Sequence, residues 1–171
     1  MVGVSKKELL DFLELFDQEL DRHIVLIAVG GTAMALLGVK ASTKDIDFNI
    51  PSDDDFKEFK HLNVKIKPGI KIDAWPSNMI FSEILPSDYV KAVTGYKTGF
   101  KKIDVRILSP IDIACSKISR FSPADMEDIQ SCIKYAGITK NHLAERASQY
   151  SRAGSDNLFK QNLKYIMENM F

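Results

Sequence analysis

The sequence has no surplus of charge, few cysteine or histidine side chains and no long apolar run. Lysine plus arginine and aspartate plus glutamate stand at 23 each. That removes any global pull toward nucleic acid, although a local basic face stays open. Cys115 and Cys132 are far apart and have no Cys-x-x-Cys spacing, so they read as reduced, buried thiols in a cytosolic protein. The three histidines, His23, His61 and His142, are scattered without ligand spacing. No apolar stretch approaches the roughly 18 residues of a membrane span. The opening "MVGVSKKELLDFLELF" has charges scattered through it and no apolar signal core, so a cytoplasmic location is expected. Repeats and low-complexity segments are absent. What remains is ordinary for a globular chain of 171 residues, 45% hydrophobic and 27% charged. It fits one domain, or a sheet domain with a helical extension.

Ser5 and Glu8 form a capping-box pair ahead of Leu9, Leu13, Phe16 and Leu20 on one helical face. "IVLIAV" (24–29) reads as a buried strand, broken by Gly30-Gly31. "TAMALLG" reads as a short helix from Thr32 to Gly38, and "DIDFNI" alternates as a strand with one buried face. "PSDDDFKEFKHL" reads as a helix with acids in its first turn. "NVKIKPGIKIDAW" reads as two strands, or one with a turn at Pro68-Gly69. "SEILPSDYVKAV" is ambiguous, and "GYKTGFKKIDVRIL" reads as a hairpin turning near Gly99. After residue 108 four segments each begin with a Ser or Thr cap, two of them with Pro next. The expected organisation is a mixed α/β half, 1–108, then a helical half, 109–171.

Two acids on an otherwise apolar strand need a reason. Strand alternation puts Asp45, Asp47 and Asn49 on one face and Ile46, Phe48 and Ile50 on the other. "IKIDAW" repeats the device, with Ile70, Ile72 and Ala74 inward and Lys71, Asp73 and Trp75 outward. If the strands pair, three carboxylates converge. Two carboxylates about 4 Å apart repel by roughly 4 kcal/mol at an effective dielectric near 20. Such a cluster needs a cation or must take up protons. Hard oxygen ligands without His or Cys point to Mg²⁺ or Mn²⁺ held by Asp45, Asp47 and Asp73. Gly30-Gly31, between strand and helix, would let phosphates approach backbone N–H groups, and Thr32 would add a hydroxyl.

Gly30-Gly31, thirteen intervening residues and Asp45-Ile46-Asp47 resemble the signature of the nucleotidyltransferase fold, the DNA polymerase β-like superfamily. "STKDIDF" is similar to the version in AbiEii/MenT-like toxins and in DUF6036-type proteins. "DIACSK" (112–117) and "RFSPADMEDI" resemble later motifs of that group, so the likeness spans roughly residues 25–135. The resemblance implies an α/β (α+β) nucleotidyltransferase fold: a mixed β-sheet flanked by helices, followed by a helical C-terminal part. It implies transfer of a nucleoside monophosphate from an NTP to an acceptor hydroxyl, dependent on Mg²⁺ or Mn²⁺. The acceptor would be tRNA, another RNA, or a small molecule as in antibiotic nucleotidyltransferases. A non-catalytic nucleotide-binding module is the third reading. A toxin-type role would bring an antitoxin protein as partner.

Within that scheme Lys117 is expected to balance triphosphate charge, and Asp128 to orient Lys117 or the nucleotide. Asp112 and Asp125 follow Ser109 and Ser122 at capping spacing, which explains them without chemistry. Asp104 is the rival third acid, but Arg106 beside it offers an ordinary ion pair, so Asp73 is preferred. Trp75 is either a base-stacking ring or a partly buried aromatic. The basic segment 91–106 is either an RNA track or a solvated hairpin face.

Overall fold

A computed structural model of the chain describes residues 3–66 and 69–171. These divide into two compact units, Met1–Asn78 with Val93–Leu108, and Met79–Ala92 with Ser109–Phe171.

The first unit is built on a five-stranded sheet. In chain order it contains β1 (Val4–Ser5), α1 (Lys6–Glu19), β2 (Ile24–Ala28), α2 (Gly30–Leu36), β3 (Ser42–Thr43), β4 (Ile46–Ile50), α3 (Asp53–Ile66) and β5 (Ile72–Pro76). β1 and β3 form a separate antiparallel pair. The strand order is β5-β4-β2-β9-β8, where β8 is Thr94–Gly95 and β9 is Ile103–Ile107. β4 runs parallel to β5 and antiparallel to β2, and β2 runs parallel to β9, so the sheet is mixed.

Helix α1 starts where a capping box satisfies its first amides: Glu8 N–H donates to Ser5 Oγ, and Ser5 N–H to the Glu8 carboxylate. Its buried stripe, Leu9, Phe12, Leu13 and Phe16, faces the core. Ring centroids run from Phe12 to Phe16 at 4.7 Å, on to Phe59 of α3 at 5.0 Å, and to Phe48 of β4 at 6.0 Å. Each buried ring contributes roughly 1.5–3 kcal/mol relative to exposure. This chain of rings ties one face of β4 to the helices. Alternation then commits Asp47 and Asn49 to the opposite face.

Several expectations change. Residues 63–66, read as a strand, continue α3, because Phe59 and Leu62 already set a helical buried stripe. The acids Asp53–Asp55 at its start and Lys65 at its end suit the helix dipole. Of the proposed turn, Pro68 lies outside the described residues. Helix α2 begins at Gly30 rather than Thr32. Gly30 adopts φ +53°, which a Cβ disfavours, and the chain turns there sharply from the extended Val29. A Cβ on Gly31 would collide with the Thr43 side chain, which would have to shift, so close approach favours glycine here.

β8 (Thr94–Gly95) and β9 (Ile103–Ile107), numbered after two short strands of the second unit, pair antiparallel across the loop 96–102. That loop is held by one acid. The Asp17 carboxylate of α1 accepts backbone N–H bonds from Lys101, Lys102 and Ile103 at 2.9, 2.7 and 2.9 Å. Burial pushes its pKa up, but the three N–H donors outweigh that and hold it below the ordinary carboxylate value.

In the second unit β6 (Met79–Ile80) and β7 (Glu83–Ile84) join β10 (Ser151–Arg152) in a three-stranded sheet, order β10-β7-β6. The ambiguous segment near 82–93 thus holds a short strand and a tight turn at Tyr89–Lys91, and residues 79–92 cluster with the helical part of the chain. The helices are α4 (Pro110–Cys115), α5 (Pro123–Ala136), α6 (Lys140–Ser148) and α7 (Asp156–Asn169). Ser109, Ser122, Thr139 and Ser155 cap all four through side-chain oxygens. Helix α4 is shorter than its sequence suggests. Ser116 closes it, and Lys117 lies in the tight turn beyond, its N–H donating to the Ala114 carbonyl at 3.1 Å.

Candidate functional site

The parallel register of β4 and β5 sets Asp47 opposite Asp73. Asp45 precedes β4 on the same face. One carboxylate oxygen from each of Asp45, Asp47 and Asp73 lies within 4.8 Å of the others. Asp47 is the deepest, at 8% exposure. The side chains of Asp45 and Asp73 are 35% and 34% exposed, so the cluster opens to solvent on one side.

The backbone carrying these acids is fixed from below. The Asp47 N–H donates to Thr32 Oγ1 at 2.9 Å, and the Thr32 hydroxyl donates to the Asp45 carbonyl at 3.3 Å. Thr32 is fully buried. Its hydroxyl therefore ties α2 to the acid-bearing segment, where the sequence suggested a phosphate contact. The Val29 N–H donates to the Asp47 carbonyl at 3.1 Å. The glycine pair and the acids are thus joined through one short hydrogen-bonded seam. Beyond Asp47, the buried Asn49 amide donates to the carbonyls of Trp75 and Ser77, at 3.3 and 2.9 Å.

Lys71 was not singled out by the sequence. Its ammonium bonds to Asp73 and lies 3.6 Å from Asp45. The hydrogen bond and charge of Asp73, with Asp45 beyond it, raise the Lys71 pKa above its ordinary value. The side chain is 68% exposed, so its stem can swing into solvent. The signal was present: Lys71 and Asp73 are two apart on one strand face.

The donor set fits a hard divalent cation. Three carboxylates can supply oxygens, and neither His nor Cys takes part. Asp104 is not among them. It lies on β9, opposite Val25, with the Arg106 guanidinium bound at 2.7 and 2.9 Å.

Lys117 and Asp128 belong to the second unit. The Lys117 ammonium, on a residue 4% exposed, meets Asp128 at 2.9 Å and Asp125 at 3.2 Å. Arg120 adds a contact to Asp125 at 2.9 Å. Burial raises the Asp125 pKa, but the Ser122 hydroxyl and then the Lys117 and Arg120 charges outweigh it and leave it lowered. Asp112 is fully buried. It accepts from Ser109 Oγ at 2.7 Å, from Arg146 at 2.7 and 3.0 Å, and from the Tyr150 hydroxyl at 3.0 Å.

A cavity of about 700 Å³ in the first unit shares no lining residue with the acids. It lies between α1 and the loop 96–102, and Leu10, Tyr96 and Phe100 are among its walls. No helix among the described residues is long and apolar enough to cross a membrane.

Comparison with known proteins agrees with the frame. The family described as "Nucleotidyltransferase of unknown function (DUF6036)" matches residues 7–169. A crystal structure of an antigenic nucleotidyltransferase-like protein from Paracoccidioides brasiliensis superposes with a TM-score of 0.53 at 15% identity. The match covers 98% of this chain and 91% of that one. At that identity it shows the fold alone. No functionally curated protein is significantly similar in sequence.

Proposed function

The chain belongs to the DUF6036 family of nucleotidyltransferases, and from that premise we propose a metal-dependent enzyme that moves a nucleoside monophosphate from an NTP to an acceptor hydroxyl. The observation that carries this reading is the convergence of Asp45, Asp47 and Asp73 beside a strand–glycine–glycine–helix junction.

Asp45, Asp47 and Asp73 would hold Mg²⁺ or Mn²⁺. Such ions supply charge stabilisation to the attacking and leaving oxygens of a phosphoryl transfer. The chain's own residues do the rest. Gly30 and Gly31 open the first turn of α2 beside Thr43, and β- and γ-phosphates would approach the amides of that turn. Thr32 positions the acids from below. Asp73, the more exposed partner of Asp47, takes the proton from the acceptor hydroxyl. The acceptor oxygen then bonds to the α-phosphorus as the bond to the bridging oxygen breaks, and pyrophosphate leaves with its electron pair. Lys71 must release Asp73 for this, and its exposed stem permits it.

Lys117 and Asp128 are assigned to the architecture of the second unit. Two carboxylates already share that ammonium, which leaves little positive charge for a triphosphate. The reaction belongs in the cytoplasm, where NTPs are made and where Cys115 and Cys132 stay reduced. An RNA end, tRNA included, is the acceptor favoured by the resemblance of "STKDIDF" to the toxin-type motif.

The test is incubation with each α-labelled NTP, Mg²⁺ or Mn²⁺, and total RNA. Label entering RNA supports the reading. Pyrophosphate released only with added small acceptors would move the acceptor to that class. NTP binding with no transfer to any acceptor would overturn the enzymatic assignment.

A further inference from the structure

The two flanks of the acid cluster differ. On one side of β4 lies β2, which runs into the Gly30-Gly31 turn at the start of α2. On the other side lies β5, the edge strand of the sheet. β5 carries Asp73 opposite Asp47 and, one step further on the same face, Trp75 opposite Asn49. Two residues of strand advance roughly 7 Å, about the span from a reacting hydroxyl to the ring borne by the same nucleoside.

The backbone around Trp75 is anchored where β5 ends. It is half-buried on an edge strand. The buried Asn49 amide fixes its carbonyl at 3.3 Å and that of Ser77 at 2.9 Å. Pro76 restricts the backbone between them. Ser77 then takes φ +54°, a conformation disfavoured for a residue with a Cβ. The Asn49 amide and the turn at Ser77 thus anchor the backbone that carries this ring.

With the triphosphate on the glycine side and Asp73 as base, the acceptor lies over β5. We propose that Trp75 stacks on a flat heteroaromatic ring of the acceptor, so that the acceptor hydroxyl belongs to a nucleoside or to the terminal nucleotide of an RNA. This rests on the transfer reading above. It sharpens that reading by disfavouring aliphatic, sugar-like acceptors, which offer no π-face. Base–aromatic stacking is worth about 1–3 kcal/mol by alanine substitution, a factor of roughly 5 to 150 in affinity.

Trp75 is the sole tryptophan of the chain, so its emission reports on this position alone. A short oligoadenylate with a free 3′ terminus, titrated with Mg²⁺ and without NTP, is expected to quench it saturably. An aminocyclitol lacking aromatic rings should leave it unchanged. Trp75→Ala should raise KM for the oligonucleotide about 5- to 150-fold with KM for NTP unmoved, and Trp75→Phe should restore most of the loss. Saturable quenching by NTP alone, with KM for NTP raised in Trp75→Ala, would overturn the inference by giving the ring to the donor. No quenching by the oligonucleotide in a wild-type protein that transfers nucleotide would overturn it too, and would leave the transfer reading intact. Quenching by the oligonucleotide without any transfer would support the ring site and overturn the transfer reading.

Discussion

Asp45, Asp47 and Asp73 in the first unit and Asp112, Asp125 and Asp128 in the second put the same side chain to opposite uses. In the second unit each of these three carboxylates meets a largely buried cation or a helix cap. Arg146 grips Asp112 with two nitrogens, and Lys117 lies between Asp125 and Asp128. Asp112 and Asp125 also sit at the third position of capped helices, so local structure alone calls for them. The first cluster sits on two strands and the bend just before β4, where no helix cap calls for an acid. It opens to solvent, and the ammonium brought to it hangs on an exposed stem. The fold neutralises one set of charges from within and leaves the other accessible to something from outside.

Asp47→Asn breaks this comparison hardest. Turnover is expected to fall by about 10²–10³-fold or more, because one electrostatic group at a reacting phosphate is worth that much. Thermal stability in chelator should hold or rise slightly, since repulsion among the carboxylates is relieved. Label transfer and calorimetry on the same preparation check both. A variant that keeps full activity, or that unfolds, would make the first cluster structural like the second.

Arg146→Met tests the other side. It leaves Asp112 buried without its guanidinium partner, and breaking a buried pair costs about 3–5 kcal/mol. Urea unfolding should show that loss, while turnover per folded molecule stays near wild type. A stable variant with depressed KM or kcat would move this cluster into the active site.

Asp17→Asn sits between the two cases. Asp17 is a structural acid of the first unit, and it works through backbone donors rather than a cation. Losing a charged acceptor from three N–H bonds should cost about 1–3 kcal/mol. Its pKa is lowered in the folded state. Its contribution is therefore present above the unfolded carboxylate value and lost as pH falls through the lower folded one. Denaturation midpoints across acid pH should drop less steeply in Asp17→Asn than in wild type. Parallel pH profiles would remove Asp17 from the acid limb of stability.

Much of this was legible in the sequence, for physical reasons that differ by residue. Capping chemistry is local, so Ser5–Glu8 and the starts of the four later helices could be read directly. The face of β4 was legible because strand alternation leaves Asp45 and Asp47 no apolar alternative. Where the reading failed, the deciding term was not local. Residues 63–66 alternate like a strand, but the core stripe through Phe59 and Leu62 draws them into α3. Lys117 was placed on a helix because nothing local announces that Ser116 ends it. Thr32 was given to a phosphate, since its bond to the Asp47 amide spans 15 residues of sequence. Lys71 was in view but unweighed, because its meaning depends on which strand lies beside β5.

Lys71 also yields the finest distinction between the clusters. If its ammonium is a placeholder for an incoming dication, removing it should favour binding. An exposed ion pair contributes little, so Lys71→Met should tighten Mn²⁺ binding by no more than about fivefold. Titration calorimetry on the NTP-free protein measures this without reference to turnover. Added salt should shrink the difference, because exposed charges are screened and the binding carboxylates are only partly so. Weaker Mn²⁺ binding in Lys71→Met would mean that the lysine holds Asp73 in place for the metal. The first cluster would then share with the second its dependence on a cation from its own chain.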